Sequence, residues 1–197
     1  MALATHATIA GTAEHQHLSP ERQLRIKRAG LWLFFFSESI LFGLLFSARF
    51  FLEGTAAPHV DQNLGLAITI ILLLSSVSAY TFETAIENEM RGLAWAGLAI
   101  TILLGTVFAV GVGFEWAEAE FSRSESFGTV FFSMTGVHAA HVVSGIGLFM
   151  LIALQMARGR YGPTDTWPVN GIVMYWHFVD VVWVFFYPAL YLVQGVK

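Results

Sequence analysis

Cysteine is absent from the 197 residues. That excludes disulfides, cysteine-ligated iron-sulfur clusters, thiolate-bridged copper pairs and covalently attached c-type haem. Any bound metal would rest on histidine, methionine or carboxylate. Charge is scarce as well, with 10 basic and 14 acidic residues making 12% of a chain that is 56% hydrophobic, about half the charged share of a soluble domain. A formal net charge of -4 provides no basic surface for nucleic acid, and that class of partner is set aside. Charge is most conspicuously missing from five long runs, Leu31 to Leu52, Leu64 to Phe82, Leu93 to Phe114, Phe127 to Met156 and Gly171 to Val193, where only Glu38, Arg49 and Asp180 carry it. A water-soluble monomer is excluded.

The runs are 22, 19, 22, 30 and 23 residues long, against the roughly 20 that a helix needs to cross about 30 Å of hydrocarbon. Inside lipid only helices and closed barrels satisfy their own backbone, and the runs lack the alternation of barrel strands. The sequence predicts an all-α membrane bundle of five transmembrane helices. The fourth run is long enough to tilt or to extend past the bilayer, ending near Gly159 before Gly162 and Pro163. Residues 1–19 read as a flexible polar tail without a secretory signal, and 20–197 as a single transmembrane domain with short loops. Ser19-Pro20 has the pattern of a helix start, Ser at the cap and Pro in the first helical position. Seven Lys and Arg residues fall on the amino-terminal side of alternate spans and three on the other. The positive-inside rule then puts the amino terminus in the cytoplasm and the carboxyl terminus outside.

Two ridges of small residues, Gly105-Ala109-Gly113 and Gly136-Ala140-Ser144, suit close helix packing. The first span carries seven phenylalanines around most of its circumference, which suits contact with lipid and another protein. Its Arg49 lies near a span end and reads as snorkelling to the headgroups. The acids Glu53, Asp61, Glu115, Glu118, Glu120 and Glu125 read as solvated loop charge, with a cationic donor protein as the alternative use.

The intramembrane residues Glu38, His138, His141, His177 and Asp180 are the informative ones, since an ionised unpaired group at mid-bilayer costs on the order of 2 to 3 kcal/mol or more. At about 1.5 Å of rise per residue, Glu38, His141 and His177 reach one level roughly 9 to 10 Å from the inner side, with His138 and Asp180 one turn deeper. They are expected to form one buried polar cluster. Three readings are open at this point: a hydrogen-bonded network that fixes helix register, a proton-handling carboxyl at Glu38, and a haem or copper held by His138, His141 and His177.

The stretches Gly136-Val-His138-Ala-Ala-His141-Val-Val-Ser-Gly145 and Tyr175-Trp-His177-Phe-Val-Asp180-Val-Val-Trp183, Phe36-Ser-Glu38-Ser39, and Glu115 to Glu120 resemble subunit III of the haem-copper respiratory oxidases. The similarity runs from about Leu31 to Val193, and the Tyr175–Trp183 stretch is its most specific part. The resemblance implies the short five-helix bacterial form of cytochrome c oxidase subunit III, in which the first two helices of the seven-helix family fold are missing. It further implies a chain without haem or copper and without catalytic residues, in a bacterial plasma membrane. Those redox centres belong to subunits I and II, the expected partners, in a complex that takes electrons from cytochrome c, reduces oxygen to water and pumps protons. Structural phospholipid is a further expectation. Glu38 matches the family's carbodiimide-reactive carboxyl, in a subunit thought to sustain proton uptake and to protect against inactivation during turnover. A quinol oxidase subunit or the related subunit of nitric oxide reductases fits the same motifs, and a self-sufficient haem or copper membrane protein is the alternative of another class.

Overall fold

A computed structural model describes residues 19–53, 60–160 and 166–193. The expected tail, apart from Ser19, and the turn at Gly162 and Pro163 lie outside the described residues. Among the described residues the secondary structure is helical: α1 Pro20–Glu53, α2 Gln62–Glu87, α3 Arg91–Glu118, α4 Ser126–Ala157 and α5 Trp167–Tyr187, the last continued by a π-helical turn, Pro188–Leu192. Five helices are long and apolar enough to cross a membrane. At 32 residues α4 is longer than one perpendicular crossing requires.

The chain divides into two compact units, residues 1–34 and 35–197. In the first, Ser19 starts α1 as its side-chain pattern predicts, its Oγ accepting the Arg22 N–H at 3.4 Å. In the second, α2 packs against α3 and α5, and α4 against α3 and α5. Asp61 caps α2, its carboxyl accepting the N–H groups of Asn63 and Leu64. From residue 35 onward α1 buries one stripe, Phe35, Phe42 and Arg49, spaced seven apart, while Phe36, Leu44 and Phe51 stay exposed. The expected all-round exposure therefore applies to the rest of this helix and not to that stripe.

Missing side chains set the helix spacing. A Cβ on Gly97 would stand 2.9 Å from the backbone nitrogen of Phe82, so α3 lies directly on the main chain of α2. The fully buried Trp176 of α5 fits between α3 and α4, because a Cβ on Gly105 or on Gly145 would come within 2.7 Å of its indole. Of the anticipated ridges, Gly105 serves as expected, but Gly113 has open space beside it. Without a hydrophobic force between helices in lipid, packing and buried hydrogen bonds supply cohesion. Indole N–H groups do much of the linking: Trp176 donates to Ser75 Oγ (2.9 Å), Trp183 to Thr69 Oγ1 (2.9 Å) and Trp116 to Thr135 Oγ1 (3.0 Å).

Candidate functional site

Glu38 and His141 meet as the sequence anticipates. His141 Nε2 lies 3.2 Å from Glu38 Oε2, with the two side chains 19% and 21% exposed. The pair thus sits at the surface of the bundle, within its membrane-spanning part. The other imidazole nitrogen, Nδ1, is 2.8 Å from the Val137 carbonyl of its own helix. A carbonyl only accepts, so Nδ1 carries a hydrogen. The Nε2–Oε2 contact then joins the acid of α1 to the second ring nitrogen of the α4 imidazole. The buried Phe42 lies against the same ring at 4.8 Å between centroids.

Two residues outside the expected cluster complete it. Tyr175 Oη donates to the His141 carbonyl at 3.1 Å and lies 2.7 Å from Ser144 Oγ, which itself donates to the same carbonyl at 2.8 Å. The backbone carrying His141 is thereby tied to α5. Tyr175 stands at the head of the most specific motif, three positions before Phe178, but a tyrosine in an aromatic-rich span has no signature of its own in sequence.

The remaining predicted members go elsewhere, so the single cluster resolves into separate sites. His138 is fully buried, its Nε2 donating to the Val179 carbonyl at 3.0 Å and its ring against Trp183. Its Nδ1 has no hydrogen-bond partner among the described residues. His177 turns to α2, where its Nδ1 is 2.6 Å from Ser76 Oγ; it is a partner of Ser76 and not of Glu38. The same hydroxyl stands beside the Asp180 carboxyl, whose two oxygens lack a partner within hydrogen-bond geometry among the described residues. Helical spacing placed His177 and Asp180 on one face correctly. It could not show that His138, one turn from His141 on α4, points into the core while His141 points out.

Two further polar residues depart from their sequence reading. Arg49 does not snorkel: it is fully buried, with Nε donating to the Ala189 carbonyl (3.2 Å), Nη2 reaching the Val193 carbonyl (3.5 Å) and the guanidinium over the Phe127 ring. Its place on the seven-residue stripe with Phe35 and Phe42 was the signal available in sequence. Glu115 is not loop charge either. It lies within α3, is 5% exposed, and accepts the Tyr191 hydroxyl at 2.6 Å. Among the described residues no group of three or more histidines and carboxylates is arranged to hold a metal ion.

Comparison with known proteins bears on the same residues. The family described as "Cytochrome c oxidase subunit III" matches residues 4–194. The chain belongs to the cytochrome c oxidase subunit III family. It is 35% identical over 144 residues to the cytochrome c oxidase subunit 3 of Corynebacterium diphtheriae, covering 70% of this chain and 69% of that protein. It is 32% identical over 183 residues to a probable quinol oxidase subunit 3 of Staphylococcus haemolyticus, covering 86% and 90%. Against the cytochrome c oxidase subunit 3 of Podospora anserina it is 35% identical over 181 residues, covering 82% of this chain and 65% of the relative. The chain is accordingly a membrane-embedded component of a haem-copper oxidoreductase complex.

Proposed function

We propose that this chain is the noncatalytic subunit III of a proton-pumping terminal oxidase that reduces oxygen to water, in a bacterial plasma membrane, and that the Glu38–His141 pair supports proton uptake by the complex. The observation that carries this reading is the contact of an acid with an imidazole, 3.2 Å between Glu38 Oε2 and His141 Nε2, at the surface of the bundle. Within such a pair a proton can move between acid and base, from two neutral groups to two opposite ions and back, without leaving a lone charge in lipid, and a proton entering from outside is balanced only when another leaves. Haem and copper belong to partner subunits I and II, with subunit I as the main contact, so no electron passes through this chain. An apolar groove of about 280 Å³ between α1 and α5, bordered by Phe42, Phe46, Phe178 and Phe185, is suited to an acyl chain of a structural phospholipid. The Glu38 carboxyl is the group expected to react with a carbodiimide.

The test is purification of the complex through a tag on this chain. The reading expects co-isolation with a large haem-bearing subunit and full initial oxygen reduction in Glu38→Gln, with a shorter period of turnover before inactivation. Abolished initial turnover in a correctly assembled Glu38→Gln complex, or haem absorption from the isolated chain, would overturn it. The electron donor is cytochrome c, by similarity to the cytochrome c oxidase subunit 3 of Corynebacterium diphtheriae. Quinol is a second reading, favoured by the larger share of both chains that the Staphylococcus relative covers. Oxidation of reduced cytochrome c against quinol by the purified complex decides between them.

A further inference from the structure

The end of the bundle where α2 begins and α3 ends holds a pocket of about 290 Å³ lined by Asp61, Glu115, Glu118, Glu120, Phe121 and Phe131 among others. Three of its four carboxylates are exposed and have bulk solvent to satisfy them. Glu115 differs. It is 5% exposed, its Oε2 is fixed by the Tyr191 hydroxyl at 2.6 Å, and its Oε1 has no partner among the described residues. A buried carboxylate oxygen left bare is costly. The position is nevertheless built with care: Tyr191 reaches it across Gly65, where a Cβ would stand only 2.5 Å from the tyrosine ring.

Nothing described on this chain answers that oxygen. Of the arginines at the same end, Arg49 is turned to the Ala189 and Val193 carbonyls and Arg123 lies over the Phe132 ring. The pocket lining, four acids and five apolar residues, is complementary to a positive charge on an apolar stem. A bare metal ion fits poorly, because the carboxylates are too dispersed to form a chelating group of three. A cation on an apolar stem fits both kinds of lining, its head at the carboxylates and its stem along Phe121 and Phe131.

We propose that this pocket receives a lysine or arginine side chain from a neighbouring subunit of the oxidase complex, with Glu115 Oε1 as its innermost acceptor. The inference rests on the chain being part of such a complex. Charge pairing of this kind, desolvated on one side, fixes the docking register of two membrane bundles more than it adds affinity. The exposed Asp61, Glu118 and Glu120 supply the rim that attracts the cation.

The experiment uses the whole complex, isolated through a tag on a haem-bearing subunit, and reads how much of this chain stays bound through high-salt detergent washes. Glu115→Gln keeps an acceptor for Tyr191 and removes only the charge. It is expected to lower retention by roughly tenfold, since truncating one partner of a buried charge pair commonly costs more than that factor in binding. The exposed pair E118Q/E120Q is expected to give a smaller loss, about two- to threefold in a low-salt wash, that shrinks as salt rises. Wild-type retention in both variants overturns the proposal. Loss that follows chelator instead of salt, with a divalent ion in the wild-type complex, also overturns it in favour of a metal. Unchanged retention with a raised KM for a cationic donor protein would assign the acids to that donor and reject the subunit contact. Absence of the wild-type chain from the complex is a different result, and it would reject the proposed function itself.

Discussion

Glu38 and Glu115 are both carboxyl groups within membrane-spanning helices, and the fold treats them in opposite ways. Glu38 stands at the bundle surface, 21% exposed, against an imidazole. Glu115 is buried at 5% exposure, against a phenol. An imidazole can take up the proton that the carboxyl gives, whereas a tyrosine hydroxyl at neutral pH only donates its hydrogen bond and keeps its proton. The first arrangement is suited to exchange and the second to fixing a charge in place. The lesson is that the partner's chemistry and the direction each group faces, and not the bare presence of an acid in a span, decide what an intramembrane carboxyl does.

Four experiments would break or sharpen that contrast. Gly65→Ala should have the largest effect, because the new methyl group meets the Tyr191 ring at 2.5 Å and overpacking of this kind costs roughly 1 to 3 kcal/mol. Thermal unfolding of the complex in detergent should show it, and an unaltered midpoint would mean that the ring has room to move. Tyr191→Phe leaves both Glu115 oxygens bare, and the same measurement should report a loss of about 1 to 2 kcal/mol. His141→Leu takes the partner from Glu38, so labelling by an apolar carbodiimide, read by peptide mass spectrometry, should rise at Glu38 and stay undetected at Glu115. Equal labelling of the two acids would erase the distinction drawn here. Tyr175→Phe removes only the bracing hydroxyl behind His141, worth on the order of 0.6 kcal/mol for a hydrogen bond between membrane helices, and should change the Glu38 labelling rate more clearly than stability.

Much of this was legible in the chain. Five spans followed from runs of the right length that hold only three charged residues, and the Glu38–His141 contact followed from matching depths on different helices. What failed did so for identifiable reasons. Depth gives a level but no azimuth, so His138 and His177 were grouped with Glu38 although one faces the core and the other faces Ser76 on α2. Position near a span end made Arg49 and Glu115 look like boundary charges. Their burial depends on the π-helical turn after α5 presenting particular carbonyls and one hydroxyl to them, and hydropathy cannot register that geometry. Gly105 and Gly145 were visible as small residues, yet their purpose, a slot for one indole, depends on which residue arrives from another helix.

The π-helical turn at Pro188–Leu192, closed by the Val193 N–H donating to the Pro188 carbonyl at 3.0 Å, is what presents Ala189 to Arg49, the Tyr191 carbonyl to Gln62 and the Tyr191 hydroxyl to Glu115. These three attachments share one phase of winding. Removing a single residue between Ala189 and Tyr191 would turn the i→i+5 closure into an i→i+4 one and change the phase of Tyr191 relative to Ala189, while leaving the segment equally apolar. In this stretch the count of residues is therefore a constraint beside their identity: a deletion between Ala189 and Tyr191 would leave the Arg49 attachment in place and break the two made by Tyr191.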